Sequence, residues 1–288
     1  MGALAAAAGS GTDPGDDDPA VRGRRAPSAA DVATARDVAD RAGLTLATAR
    51  LHDRQRELAE QLQRSLLTAP PQPDHCEIVV RHLPATAAAA VGGDWYDAFL
   101  QRDGATTLVI GDVAGHDSVA AATLGQLRGL LRGIATSTDA GPAGVLARLD
   151  DSMAQLSVDS PATAVVARLE QTPGELAREV TRVRWSNAGH PPPVVLRADG
   201  RVELLAGPRA DLLLGVDADA VRPESVTTLD PGETLLLYTD GLETCDALLD
   251  RLVAPAHTDD VALAAVRLHP HDRPRPPEAG PNRVPDRA

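Results

Sequence analysis

Short blocks of apolar residues recur between about Glu77 and Leu268, some alternating with polar positions and some continuous. They predict strands at EIVVRHL (77–83), TTLVIGDV (106–113), TAVVARLE (163–170), RVRWSN (182–187), PVVL (193–196), RVELL (201–205), TLLLYTD (234–240) and VALAAVRL (261–268). Several are joined by turns as short as RADGR, which implies antiparallel pairing. The period changes in the middle of this region. Leu124, Leu127, Leu131 and Ile134, followed by Leu146, Leu149, Met153 and Leu156, keep i, i+3, i+4 spacing and predict two neighbouring amphipathic helices. Strands in succession with helices grouped apart predict an α+β fold of stacked layers rather than an alternating parallel sheet.

Upstream, residues 29–67 are rich in helix formers and free of proline, and predict one long helical linker. Leu44, Leu51 and Leu58 are seven apart, and Leu62 and Leu66 continue the stripe. Such a stripe serves either a helix packed on its own domain or a short coiled coil joining two copies as a homodimer; the spacing fits both. Residues 1–28 and 268–288 are dominated by Ala, Gly, Asp and Pro, a composition too poor in large apolar side chains to offset the entropy of ordering. The expected organisation is therefore a flexible start (1–28), a helical linker (29–67), a folded domain (68–267) and a flexible Pro-rich tail (268–288). His269 and His271 fall in that tail as bystanders.

Composition narrows the function classes. The chain has 288 residues, 43% of them hydrophobic, which suffices for one sizeable core, and with 2% aromatics that core must be filled by Leu, Val and Ala. A formal charge of −13, from 28 basic and 41 acidic residues, argues against a general nucleic-acid or anionic-membrane binder. Cys76 and Cys245 make neither a zinc cage nor a disulfide framework. The first residues lack a signal-peptide pattern, Ala6 stands where N-myristoylation needs Ser or Thr, and no window reaches the roughly 18 apolar residues of a membrane span. A cytoplasmic protein is expected.

The acidic residues are placed unusually. TTLVIGDV runs into Asp112, TLLLYTDG into Asp240, VGGDWYD offers Asp94 and Asp97 after two glycines, and TDDVALAAVR opens a strand with Asp259 and Asp260. Each alone reads equally as turn chemistry, since Asp-Gly is a common turn pair. Taken together, strand ends that meet would crowd carboxylates at one sheet rim, where they repel unless cations lie between them. Oxygen ligands without Cys or His clusters suit Mg²⁺ or Mn²⁺.

Five motifs in order, VGGDWYDAF, VIGDVAGH, SNAGHPPPVVL, LLLYTDGLE and DDVALAAVR, resemble the PPM (PP2C-like) serine/threonine phosphatases of the SpoIIE/RsbU branch. The resemblance covers about Leu58 to Arg267, and DVADRAGLTLATARL upstream is similar to the last helix of a GAF domain. It implies a four-layer αββα sandwich, two antiparallel sheets flanked by helices, with two Mn²⁺ or Mg²⁺ ions at one rim. It further implies Asp94, Asp112, Asp240, Asp259 and the Val113 carbonyl as ligands, with Asp97 and Asp260 in supporting places. The implied activity is hydrolysis of phosphoserine or phosphothreonine by activated water, on a phosphorylated anti-anti-sigma (STAS-domain) protein in sigma-factor signalling. No protein nucleophile is needed for that chemistry. His116 becomes a candidate acid for the departing alkoxide. Asn187 and His190 either line the substrate approach or shape the loop before three prolines.

Two departures from the family stand out. Asp117 replaces the last glycine of Gly-His-Gly, as an N-cap or as an added negative charge. Between Asp240 and Asp259 the family carries a longer helical insertion, whereas this chain closes the gap with 241–258. Because one strand ends and the next begins there, the acids could still meet, at the cost of cover over one sheet. These departures motivate an alternative: a catalytically impaired PPM-like module that binds its partner without turnover.

Overall fold

A computed structural model of the chain describes residues 28–66, 69–73, 75–83, 93–115, 118–207, 211–240 and 261–270. The chain divides into two units, Met1–Leu51 and His52–Ala288. The first contains most of helix α1 (Ala29–Leu66), which begins where Ser28 and Asp31 bond each other reciprocally: Asp31 N–H donates to Ser28 Oγ and Ser28 N–H to the Asp31 carboxylate. Leu44 and Leu51 of its stripe are exposed. No described helix is long and apolar enough to cross a membrane.

Among the described residues, the second unit contains ten strands in two antiparallel sheets. Strands β1 (Cys76–Leu83), β2 (Asp94–Leu100), β3 (Thr106–Val113), β4 (Ala162–Glu170), β5 (Thr181–Ala188), β6 (Val194–Leu196), β7 (Val202–Leu204), β8 (Ser225–Leu229), β9 (Thr234–Tyr238) and β10 (Val261–Leu268) form the orders β1-β10-β9-β6-β7 and β2-β3-β4-β5-β8. Helices α2 (Ser118–Ser137) and α3 (Pro142–Gln155) connect β3 to β4, and a single turn, α4 (Pro173–Leu176), precedes β5. This is the expected α+β sandwich of two antiparallel sheets with flanking helices. The segment 241–258, His116, Asp117, Asp259, Asp260, the start of the chain and the tail from 271 lie outside the described residues.

Two apolar layers hold the unit together. Leu108 and Ile110 of β3 share the space between the sheets with Ile78, Val165, Trp185, Leu235, Leu237 and Val266. Their neighbours Val109 and Val113 point the other way, into a layer with Leu124, Leu127 and Leu131 of α2 and Leu146, Leu149 and Met153 of α3. With side chains alternating across the pleat, a strand buried on both faces must be apolar throughout, which is why TTLVIGDV reads as a continuous run. Proline at the first position of α3 costs no hydrogen bond, because that N–H has no helical acceptor.

Some details depart from the sequence pattern. β2 and β8 were not among the expected strands. Leu156, expected to extend the stripe of α3, is its C-cap and is exposed. His269, expected in a flexible tail, donates its N–H to the His75 carbonyl and has Nε2 3.0 Å from Glu77 Oε2, tying the end of β10 to the start of β1.

Candidate metal centre

Asp94 is the first residue of β2 and lies directly opposite Asp112 at the end of β3. Side chains two apart share a face, so Asp94 lies on the side of Ala98, and Asp112 on the side of Leu108 and Ile110. Those three residues line the space between the sheets, so both carboxylates face it at its rim. Asp94 is 3% exposed and Asp112 partly exposed.

Glycine is needed at two places nearby for steric reasons. A Cβ on Gly111 would lie 2.3 Å from Trp95 Cη2, its cross-strand neighbour. A Cβ on Gly93 would lie 2.0 Å from the Val113 carbonyl oxygen and 2.6 Å from Asp112 Oδ1. The notch at Gly93 is thus walled by two oxygens, one backbone and one carboxylate, while Val113 N–H donates to the Gly93 carbonyl at 3.1 Å and fixes the approach.

The other sheet supplies Asp240, the exposed residue that follows β9 and Thr239. A cavity of about 330 Å³ is lined by Asp112, Thr163, Gly189, His190, Pro191 and Asp240, so acids from both sheets face one space. Thr239 is fully buried and its Oγ1 donates to Asp94 Oδ2 at 2.6 Å. The same hydroxyl accepts from Ala262 N–H at 2.9 Å, which brings the start of β10 to the Asp240 end of β9. Asp240 and Val261, the described residues on either side of 241–260, therefore lie at one rim.

His190 is buried with both ring nitrogens engaged: Nδ1 is 2.8 Å from Thr163 Oγ1 and Nε2 is 3.0 Å from the Tyr238 carbonyl. A carbonyl only accepts, so Nε2 carries the proton and Nδ1 accepts from the threonine hydroxyl. Burial pushes the imidazole pKa down to about 4, with the Tyr238 carbonyl pulling the other way. Asn187 closes the same loop, its amide donating to the His190 carbonyl and its Oδ1 accepting from His190 N–H, both at 2.7 Å, around Gly189 at φ +70°. A neighbouring cavity of about 380 Å³ shares Gly189 and His190 and adds Asn187, Asp211 and Leu213.

Asp97 faces away from this rim. Three residues from Asp94 and therefore on the opposite face of β2, it accepts from Arg128 at 3.3 Å and Arg132 at 3.4 Å on α2. Asp94, Asp112, Val113, Asn187, His190 and Asp240 thus gather at one rim, while His116 and Asp259 lie outside the described residues. Thr163 and Thr239 belong to the rim although nothing in the sequence pattern marked them. Among the described residues, no three of His, Cys, Asp and Glu converge closely enough to form an ion site by themselves. The oxygens of Asp94, Asp112, Asp240 and the Val113 carbonyl nevertheless have the donor chemistry of a hard divalent cation.

A family model described as stage II sporulation protein E (SpoIIE) matches residues 102–247, just over half of the chain. Among solved structures, the chain is similar to the RsbU and RsbW domains of Rv1364c from Mycobacterium tuberculosis, at 28% identity and a TM-score of 0.60, over 73% of this chain and 64% of that one. It thus spans less than two thirds of that structure's length. It is also similar to the PP2C domain of SiaA from Pseudomonas aeruginosa, at 18% identity and a TM-score of 0.59, over 77% of this chain and 98% of that one. A third match, RsbX in complex with magnesium, has 16% identity and a TM-score of 0.54, over 67% of this chain and 96% of that one. The last two relate to fold alone. With the ordered rim acids, the two five-stranded sheets and the family match in agreement, the chain belongs to the SpoIIE family of PP2C-like phosphatases.

Proposed function

We propose that the chain is a divalent-metal-dependent phosphatase acting on phosphoserine or phosphothreonine in a protein, with residues 68–267 as its catalytic domain. The observation that carries this reading is the single cavity onto which Asp112 and Asp240 open from different sheets, with Asp94 opposite Asp112. Asp94, Asp112, Asp240 and the Val113 carbonyl would hold two Mn²⁺ or Mg²⁺ ions, with Asp259 completing the set. Bound there, such ions supply a water of lowered pKa and a clamp on the phosphoryl oxygens. In the displacement, the water oxygen loses a proton to solvent as it bonds to phosphorus, the P–O bond to the serine oxygen breaks, and His116 would pass a proton to the leaving oxygen and regain it from solvent. Asn187 and His190 form a wall of the substrate approach through the loop they close.

The magnesium complex of RsbX supports the choice of ion by likeness of fold. The RsbU and RsbW domains of the Mycobacterium structure support a place among regulatory partners, and the substrate proposed, from the family resemblance of the sequence motifs, is a phosphorylated anti-anti-sigma protein of STAS type. A second reading, a PPM-like module that binds this partner without turnover, is favoured by the short segment 241–258.

Purified protein with Mn²⁺ separates the two. Hydrolysis of an aryl phosphate, reduced about a hundredfold or more by Asp240→Asn at unchanged circular dichroism, is the expected result. Equal rates in wild type and variant would remove Asp240 from the chemistry. Tight binding of a STAS partner without any turnover would establish the binding module instead.

A further inference from the structure

The rim acids stand on different sheets. At the open edge of a sandwich, where the apolar layer thins out, the spacing between sheets depends on polar contacts that bridge it. Thr239 makes such a contact. Its hydroxyl donates to Asp94 on the opposite sheet at 2.6 Å and accepts from Ala262 N–H on the neighbouring strand at 2.9 Å. A hydroxyl has one proton, and the Ala262 carbonyl, at 3.4 Å, is the poorer acceptor in both distance and charge. The Thr239 N–H meanwhile donates to that carbonyl at 3.1 Å, which holds the backbone immediately before Asp240.

A second bridge runs beside it. Thr163, the register partner of Asp112, bonds His190, and His190 bonds the carbonyl of Tyr238, the residue before Thr239. The contacts therefore form a circuit: Asp94 and Asp112 side by side on one sheet, Thr163 and His190 leading across, and Tyr238 and Thr239 leading back to Asp94.

We propose that Thr239 is a positioning residue that holds Asp94 in register with Asp240 across the gap between the sheets, before any cation binds. What the held acids then do rests on the phosphatase reading above, but the bridge itself is independent of it. Valine is nearly isosteric with threonine but can neither donate to Asp94 nor accept from Ala262, whereas serine can do both.

The test is a double-mutant cycle of Thr239→Val and Asp94→Ala, read by urea unfolding of the metal-free protein, together with calorimetric titration of Mn²⁺ into wild type, Thr239→Val and Thr239→Ser. The cycle should show a coupling of about tenfold in the unfolding equilibrium, as expected for a hydrogen bond to a charged group. Mn²⁺ affinity should fall about tenfold to a hundredfold in Thr239→Val and return to within about threefold of wild type in Thr239→Ser. Additive effects in the cycle would overturn the proposal whatever the metal does. So would Thr239→Ser binding as weakly as Thr239→Val, because the methyl group would then be what matters. If wild type takes up no Mn²⁺, the phosphatase reading fails while the cycle still decides the role of Thr239.

Discussion

The two sheets have five strands each, yet their outer faces differ. On β2-β3-β4-β5-β8, Trp95, Val109 and Val166 are buried beneath α2 and α3. On β1-β10-β9-β6-β7, the outward Val261 and Leu263 of the central β10 are buried, whereas Val79 at one end and Leu196, Val202 and Leu204 at the other are 37% to 60% exposed. The rim residues divide in the same way: Asp94 and Val113 are buried on the covered sheet, and Asp240 is exposed at the end of β9. A sheet packed on both faces fixes its strand ends with little freedom, because close-packed side chains transmit any shift to their neighbours. One half of the candidate centre is therefore built into a rigid scaffold. The other half depends on the contacts that tie it across, through Thr239 and His190.

This contrast can be tested by perturbing each side. The largest effect is expected at Asp150 of α3, which is fully buried and bonded by Arg222 Nη2 at 2.6 Å and by Gly215 N–H at 3.0 Å, pinning the loop 211–222 to the covered side. Burial pushes the Asp150 carboxyl above its ordinary value, with Gly215 and Arg222 pulling the other way. Arg222→Met removes the charged partner of that buried carboxyl, leaving it only the Gly215 N–H, and should cost about 3–5 kcal/mol in urea unfolding. A loss under about 1 kcal/mol would show that the loop is not anchored there.

Next comes Leu127→Ala, which opens a cavity between α2 and the covered sheet and should cost about 3.5 kcal/mol in the same measurement. Acidification should have an effect of nearly this size through His190. The unfolded chain's imidazole titrates near 6.5 and the buried one near 4. Between those values the unfolded state alone binds the proton, so stability is full above pH 6.5 and falls as the pH drops toward 4, by roughly 3 kcal/mol from this residue. The stability gap between wild type and His190→Gln should accordingly narrow over that window; a gap independent of pH would contradict the buried neutral ring. The smallest effect is expected from Val202→Thr on the exposed edge of the other sheet, within about 0.5 kcal/mol of wild type. A loss there comparable to that of Leu127→Ala would erase the contrast between the two faces.

Most of this architecture can be read in the sequence because burial leaves a period. The alternation in EIVVRHL and the continuous run in TTLVIGDV each reflect how many faces of the strand are covered, and the leucine spacing of α2 and α3 reflects the single face each lays on the sheet. β2 escaped that logic because its buried Asp97 is held by Arg128 and Arg132, a pairing across 31 and 35 residues that no local pattern records. β8 escaped it because SVTTL exposes Val226 and turns Ser225 and Thr227 inward, so its apolar positions keep no single face and only Leu229 is fully buried. Within the candidate centre the acids were legible as interruptions of apolar strands. Asp94 and Asp97 looked alike in VGGDWYD and are told apart only by the strand's two-residue period, which turns one to the rim and the other to α2. Thr163 and Thr239 were invisible because threonine in a strand is ordinary, and what singles them out is the partner each reaches across the fold.

Crystals grown with Mn²⁺ and measured for anomalous scattering at the metal edge test the central assignment most directly. The assignment predicts two peaks between the sheets at the rim, within bonding distance of Asp94, Asp112, the Val113 carbonyl and Asp240. Full diffraction with no anomalous peak at that rim, or with ions held elsewhere and these acids uninvolved, would contradict it.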